Sequence, residues 1–177
     1  MSSEVPKRTQ EKIISLDRLA EILQLKRSEG KKIGLITGGF DVIHVGHVRL
    51  VRFAKEHVDI LVVGVEQDET IRLSKGPNRP VNPLVARCNV LSAFYNVNYI
   101  FAVPFVFRYG EVEKADEQYT KLYRQLIPDF LITNITAGSF WELKKKGAQD
   151  IGIGFLGQKT PKDTSSSSIA KIIQKDI

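Results

Sequence analysis

The sequence predicts an α/β fold, one doubly wound parallel sheet of about five strands with flanking helices. Three observations carry that prediction. Apolar runs such as Asp59-Ile60-Leu61-Val62-Val63-Gly64-Val65 are continuous rather than alternating, the pattern of a parallel strand covered on both faces. Stretches with helical apolar spacing separate these runs, and strand–helix alternation builds a parallel sheet. The length, 177 residues, suits one domain around one core rather than two full-sized ones, so residues 1–177 are expected to form a single domain.

Residues 13 to 25 place Leu16, Leu19, Ala20 and Leu23 on the i, i+3, i+4, i+7 stripe of an amphipathic helix, with Ser15 available as N-cap and Gly30 as its end. Residues 1–30 thus read as an N-terminal helical extension. Lys32 to Thr37 reads as the first strand, running into a turn at Gly38-Gly39. Gly46 to Glu56 reads as a helix and Asp59 to Val65 as the second strand, which completes a β-α-β unit.

A polar stretch containing Lys75-Gly76-Pro77-Asn78-Arg79-Pro80 follows and reads as a loop. The next helix starts at Pro83, a residue suited to a first helical turn, and puts Leu84, Cys88, Leu91 and Tyr95 on one stripe. Further strands are expected at Asn98 to Val103, Asp129 to Thr133 and Asp150 to Phe155, with helices near 112–126 and 139–147 between them. Val112, Ala115, Tyr119, Leu122 and Leu126 form a narrow stripe that suits core packing or a subunit seam, core packing being the commoner use. Ser165 to Ser168 is the one low-complexity tract, placed before an apolar stripe of Ile169, Ile172 and Ile173.

Composition narrows the classes. Apolar residues at 42% and charged residues at 26% exclude wholesale disorder and fibrous repeats. Lys plus Arg outnumber Asp plus Glu by 26 to 20, and the resulting charge of +6 suits a polyanionic partner such as nucleic acid, an acidic surface or a phosphorylated small molecule. The single cysteine, Cys88, has no internal disulfide partner and points to a reducing compartment. Met1 to Gln10 carries no apolar signal core, and the apolar runs Ile60–Val65 and Tyr99–Val106 fall far short of the roughly 20 residues of a bilayer span, so a cytoplasmic protein without membrane contact is expected.

The segment Gly38-Gly39-Phe40-Asp41-Val42-Ile43-His44-Val45-Gly46-His47 lies between the first strand and its helix, where ligands bind in doubly wound sheets. Two glycines allow close backbone approach to a phosphate, and the helix opening offers unpaired N–H groups and a positive dipole end. His44 and His47, at i and i+3 with Gly46 leaving space between them, can both face one phosphate as donors. Such donors would stabilise charge developing on a phosphoryl oxygen. A two-histidine zinc site lacks further ligands, because only His57 remains and there is one cysteine, so no protein metal site is expected. Cys88 sits on an apolar helix stripe, which argues against a covalent role.

Gly39-Phe40-Asp41 followed by His44-Val45-Gly46-His47 resembles the H-x-G-H signature of the cytidylyltransferase-like nucleotidyltransferase superfamily. Within it the chain is most similar to the heptose 1-phosphate adenylyltransferase domain of ADP-heptose synthesis, through Lys12 to Asp17, Gly30 to Ile33, and Lys75 to Arg87 with its Arg79-Pro80-Val81-Asn82-Pro83-Leu84 core. Glycerol-3-phosphate and ethanolamine-phosphate cytidylyltransferases look similar mainly through the first motif and the Lys75 region. Residues 104–125 look longer than the family's usual connection, an insertion.

The resemblance implies a Rossmann-like enzyme that transfers AMP from ATP, or CMP from CTP, to a phosphorylated sugar or polyol and releases pyrophosphate. A catalytically inactive nucleotide-binding module is the alternative of another class. By this resemblance His44, His47 and Lys75 are catalytic, Lys75 on a mobile loop; Gly38, Gly39, Phe40, Asp41, Arg87, Ser166, Ser167 and Ser168 bind nucleotide. Mg²⁺ would arrive mainly on nucleotide phosphates. A homodimer is compatible with the family and with the 112–126 stripe. A nucleic-acid surface has little behind it, since Lys144-Lys145-Lys146 beside Trp141 is the only run of three cations. Three positions depart from the pattern: Ala86 replaces the usual acidic residue before the arginine, Thr133-Asn134-Ile135-Thr136 replaces a Lys-Gly-Gly-Asp stretch, and Thr164 precedes the serines.

Overall fold

The computed structural model describes residues 7–136 and 140–159, and positions 165, 168, 169 and 172. Five parallel strands, β1 (Ile33–Gly38), β2 (Ile60–Val65), β3 (Tyr99–Ala102), β4 (Phe130–Asn134) and β5 (Gly154–Gln158), are ordered β3-β2-β1-β4-β5. The first strand is therefore central: the chain winds outward through β2 and β3, then returns to the other side of β1 for β4 and β5. The reversal places a crevice at the C-terminal ends of β1 and β4, the position at which open α/β sheets bind ligands.

Helices cover both faces, which is why the strands need no polar side. On one face α2 (Leu16–Ser28), α6 (Val112–Leu126) and α7 (Phe140–Asp150) bring Leu19, Leu23, Tyr119, Leu122 and Ala148 against Leu35, Val62 and Phe101. On the other, α3 (Val45–Lys55) and α5 (Leu84–Ser92) bring Leu50, Val51, Ala54, Cys88 and Leu91 against Ile36, Leu61, Val63 and Ile132. Each such side chain, fully covered, contributes about 1.5–3 kcal/mol of transfer free energy.

Local differences from the sequence pattern have physical causes. Helix α2 starts at Leu16 rather than Ile13, because the Ser15 side chain accepts from the Arg18 N–H at 3.4 Å, and Lys12 to Ile14 are taken by the sheet edge. There Ile100 N–H donates to the Lys12 carbonyl at 2.7 Å and Ile14 N–H to the Ile100 carbonyl at 2.9 Å, so the N-terminal segment extends the pairing rather than hanging free. Helix α7 runs through Asp150 and Gly152 turns the chain at φ 73, so β5 begins at Gly154 instead of Asp150. Tyr95 lies beyond the end of α5 and is 96% exposed, off the buried stripe. Ala115, Tyr119, Leu122 and Leu126 are buried within this chain's own core; the Val112 side chain lies outside the described ones. No described helix is long and apolar enough to cross a membrane.

The polar stretch after β2 contains a helix that its composition hides, α4 (Asp68–Lys75), of which only Thr70 and Ile71 are buried. A four-residue helix, α1 (Lys7–Gln10), precedes the sheet.

Candidate active site

The turn that leaves β1 is shaped by Phe40, a non-glycine residue at φ 49. That conformation is normally costly for a residue with a Cβ. It is held because the ring is only 5% exposed and packs on the His47 imidazole, centroids 5.1 Å apart. The turn delivers His44 as the N-cap of α3 in extended conformation.

The two histidines then cap the helix reciprocally. His44 Nδ1 accepts from the Gly46 N–H at 3.2 Å, and His47 Nδ1 accepts from the His44 N–H at 3.4 Å. An Nδ1 that accepts leaves the proton of a neutral imidazole on Nε2. Both rings are held neutral at pH 7: burial first, then competition with the His44 ring for a proton and the Lys75 charge, pushes His47 down to about 3, and burial followed by Lys75 lowers His44. The rings lie 4.0 Å apart at 34°, so the pair presents two neighbouring Nε2–H donors. Gly46 permits this closeness, since a Cβ there would sit 2.9 Å from His44 Cε1.

Lys75 is brought to the same place, as its charge on both imidazoles shows. It is the last residue of α4 rather than a loop residue, and Gly76 at φ 104 ends the helix directly after it. Burial, then Arg79, lowers its pKa, while Glu66 and Asp41 oppose the shift. Its lowered value is a property of the ammonium's surroundings, the residue as a whole being exposed.

Asp41 and Arg87 are placed beneath the site and are occupied by protein. Asp41, 1% exposed, accepts from Arg79 Nε at 2.6 Å, from Val81 N–H at 2.7 Å and from Asn82 N–H at 3.0 Å. It thereby clamps the segment 79–82, which contains the cis Arg79–Pro80 peptide. Arg87, also 1% exposed, donates to the carbonyls of Asn82 (3.0 Å), Glu66 (2.8 Å) and Gly39, and to the Asp68 carboxylate at 2.6 Å. Asp68, in the first turn of α4, supplies the acidic partner that the residue before Arg87, Ala86, lacks. The glycine turn is fastened from both sides, because the Gly38 carbonyl also accepts from the Glu66 N–H at 3.0 Å.

The cytidylyltransferase-like family profile matches residues 35–172 of this chain, from β1 to the C-terminal serine region. The chain belongs to the cytidylyltransferase-like family. It is 32% identical to the bifunctional protein HldE of Nitrosococcus oceani over 127 residues, 72% of this chain and 24% of that protein. It is 35% identical to that of Wolinella succinogenes over 124 residues, 70% and 24%. The chain thus spans about a quarter of the length of the curated relatives it matches. Among solved structures, the lipopolysaccharide core biosynthesis protein of Thermoplasma volcanium superposes with TM-score 0.53 at 22% identity, covering 74% of this chain and 98% of that one. Pantoate-beta-alanine ligase of Francisella tularensis, complexed with beta-gamma ATP and beta-alanine, gives TM-score 0.57 at 19% identity, over 92% and 76%. These two likenesses carry the fold alone.

Within the family framework the remaining predicted residues divide. Ser166 and Ser167 lie outside the described residues. Ser168 forms a reciprocal cap with Ser165: Ser165 N–H donates to Ser168 Oγ at 2.8 Å and Ser168 N–H to Ser165 Oγ at 3.1 Å. Among the described residues no three His, Cys, Asp or Glu side chains gather as metal ligands. His57 is exposed, its Nδ1 2.8 Å from the Phe53 carbonyl oxygen, and burial raises the Cys88 thiol pKa.

Four residues at the ligand edge of the sheet escaped sequence reasoning. Glu66, immediately after β2 and 2% exposed, accepts from Tyr119 OH at 3.1 Å and from Tyr109 OH. Lys144, 8% exposed, donates to the Thr37 carbonyl at 2.7 Å and lies 5.7 Å over the Phe140 ring. Burial pushes it down to about 8 against the pull of Glu66. Lys144 therefore leaves the run Lys144-Lys145-Lys146, and Lys146 stands 4.0 Å from Asp116, so the run does not present three outward cations. An acid directly after an apolar strand was a readable signal for Glu66; Tyr119 was readable only as a core position of its stripe and Lys144 only as one of a run of cations, and nothing local marked Tyr109.

Proposed function

We propose that the chain transfers a nucleotidyl group, AMP from ATP with CMP from CTP as the alternative, to the phosphate of a sugar or polyol. An acceptor phosphate oxygen attacks the α-phosphorus, the bond from that phosphorus to the bridging oxygen of the β-phosphate breaks, and pyrophosphate leaves with the bond's electron pair. Such transfer needs positioning and charge stabilisation more than a protein nucleophile. The observation that carries the reading is the neutral His44–His47 pair, whose Nδ1 atoms are used internally so that two Nε2–H donors stand at the N-terminus of α3. These donors would strengthen their hydrogen bonds as negative charge grows on the α-phosphoryl oxygens. Lys75 would neutralise phosphate charge beside them, with backbone of Gly38, Gly39 and Phe40 close by. Arg87 and Asp41 act through position, holding the turn and the 79–82 segment.

Mg²⁺ fits this site as a passenger of the triphosphate: the carboxylates whose charge reaches Lys75, Glu66 and Asp41, are already hydrogen-bonded by protein donors. When bound, it supplies charge neutralisation on the phosphates. The relatives' similarity to the heptose 1-phosphate type of domain favours ATP and a sugar phosphate. The test is pyrophosphate release by purified protein with Mg²⁺, each of the four nucleoside triphosphates and a panel of phosphorylated acceptors. Release with ATP or CTP, reduced by about 10² or more in His44→Ala and in His47→Ala with the fold retained, is expected. Absence of release with every pair overturns the proposal.

A further inference from the structure

The Thr37, Gly38 and Gly39 carbonyls, with which the chain leaves β1, are each held by a different element. Thr37 accepts from Lys144 of α7 at 2.7 Å, Gly38 from the Glu66 N–H just beyond β2 at 3.0 Å, and Gly39 from Arg87 of α5. Successive peptide units pinned in this way fix the course of the turn into Phe40 and on to the His44 cap. Glu66 also underlies the turn with its side chain, since a Cβ on Gly39 would stand 3.6 Å from Glu66 Oε2. That buried carboxylate is held by two phenols from the stretch after β3: Tyr119 OH of α6 donates to Oε1 at 3.1 Å, and Tyr109 OH, from the segment before α6, donates to Oε2. The segment is itself fastened. Gln67 Nε2 donates to the Val103 carbonyl at 2.6 Å, Phe107 N–H to Thr70 Oγ1 at 3.3 Å, and Tyr109 N–H to Ser74 Oγ at 2.9 Å. Gln67, Thr70 and Ser74 follow one another at i, i+3 and i+7, so residues 103–109 are laid along one face of α4. The Phe107 ring lies 5.7 Å from Tyr109 and 5.4 Å from Tyr119, so one aromatic cluster sets both phenols.

We infer that Glu66 is a positioning residue for the transfer, through which residues 104–125 brace the glycine turn and keep His44 and His47 in register. The inference rests on the reading under Proposed function. Arg87 holds the turn from α5, and Glu66 with its two phenols holds it from the α6 side. The tyrosines touch no substrate in this assignment: their hydroxyls act on the turn only through the carboxylate. A carboxylate suits that place because both its oxygens accept, and two phenols donate to it. Burying one is costly, and neutral donors offset only part of the cost, so a group kept there for packing alone would be better uncharged. Glutamine at this position would keep the volume and one acceptor but would turn N–H groups toward the other phenol, which would have to give up its bond.

The test compares the full chain as wild type, Glu66→Gln, Tyr119→Phe, Tyr109→Phe, which keeps the ring on a part-exposed residue, and the double variant carrying Glu66→Gln and Tyr109→Phe. Leu126→Ala, at a buried position ending α6, controls for lost stability alone. Amide hydrogen exchange without ligand reads the turn through the His44 and Gly46 N–H groups, which donate to the two imidazoles. Both should exchange about tenfold faster in Glu66→Gln, about three- to tenfold faster in each single phenol variant, and within about twofold of wild type in Leu126→Ala. In pyrophosphate release, Glu66→Gln should lower kcat by about ten- to a hundredfold with KM for the triphosphate within about threefold. The double variant should be no slower than Glu66→Gln, because both changes break the same bond. Unmoved exchange in Glu66→Gln and Tyr119→Phe, an equal effect from Leu126→Ala, or losses that multiply in the double variant overturns the inference. Faster exchange in the variants of a protein that releases no pyrophosphate removes the proposed transfer and leaves Glu66 as the holder of the turn; release with unmoved exchange does the reverse.

Discussion

Lowering the pH from 8 to 5 is expected to cost this protein stability through His47. In the folded chain the ring is pushed down to about 3 from an ordinary 6.5, by burial first and by competition with the His44 ring for a proton and the Lys75 charge after it. Below pH 6.5 the unfolded chain therefore takes up a proton that the folded chain refuses. Stability falls as pH falls, by up to about 1.4 kcal/mol per unit between pH 6.5 and about 3. From pH 8 to pH 5 that amounts to at most about 2 kcal/mol, with His44 adding a smaller contribution of the same sign. Carboxylates contribute their own slope over this range, so the measurement is a difference: urea unfolding at pH 8, 6.5 and 5 for wild type and for His47→Asn, which retains a polar side chain without a titrating ring. Wild type should lose about 2 kcal/mol more than the variant. Parallel pH dependences would refute the reasoning, as would a ring resonance of His47 that titrates near 6.5. The consequence for activity follows directly: a neutral donor has no proton to lose near neutrality, so turnover should show no step at an imidazole pKa of 6.5.

Gly46→Ala should lower kcat by about tenfold to a hundredfold with an almost unchanged melting temperature, because the new methyl meets the His44 ring at 2.9 Å and only the ring can give way; steady-state kinetics checks this. Arg87→Lys should cost about 3–5 kcal/mol in denaturant unfolding, since one ammonium cannot satisfy three carbonyls and Asp68 in the fork geometry of a guanidinium. Lys144→Met should flatten the alkaline stability profile. With the folded pKa near 8 and the unfolded one near 10.5, the unfolded chain holds the proton that the folded chain releases, so wild-type stability rises by about 2 kcal/mol from pH 8 to pH 10 and the variant's does not.

What the sequence made legible was local. Continuous apolar runs announced β1, β2 and β4 because burial on both faces leaves no alternation to blur them. Gly46 between His44 and His47 was readable because the capping that it permits spans three residues. Helix α4 was not, since six of its eight residues are polar or charged and its register is set by Thr70 and Ile71 packing into the fold. The ligand edge beyond the histidines was hidden for another reason. Tyr109 reaches Glu66 across 43 positions, Tyr119 across 53, and Lys144 reaches Thr37 across 107. No spacing rule encodes such contacts, and a lysine within a run of three looks solvated until the fold buries it.

The division among the cations gives the net charge of +6 its meaning. Arg79 is spent on Asp41, and Arg87 on Asp68 and three carbonyls, so neither guanidinium is available to a ligand without dismantling the turn that it holds. Lys144 faces inward to Thr37. Lys75 differs from all three: among the described residues it makes no ion pair, the Glu66 and Asp41 charges acting on it only from farther off, and its own charge falls on the two imidazoles. Burial first, and the Lys75 charge after it, keeps both imidazoles as neutral donors. An arriving phosphate would meet one full positive charge and two Nε2–H groups whose Nδ1 atoms are already used in capping the helix. On the proposed function, the arginines would fix where that meeting happens, and the lysine and histidines what is met.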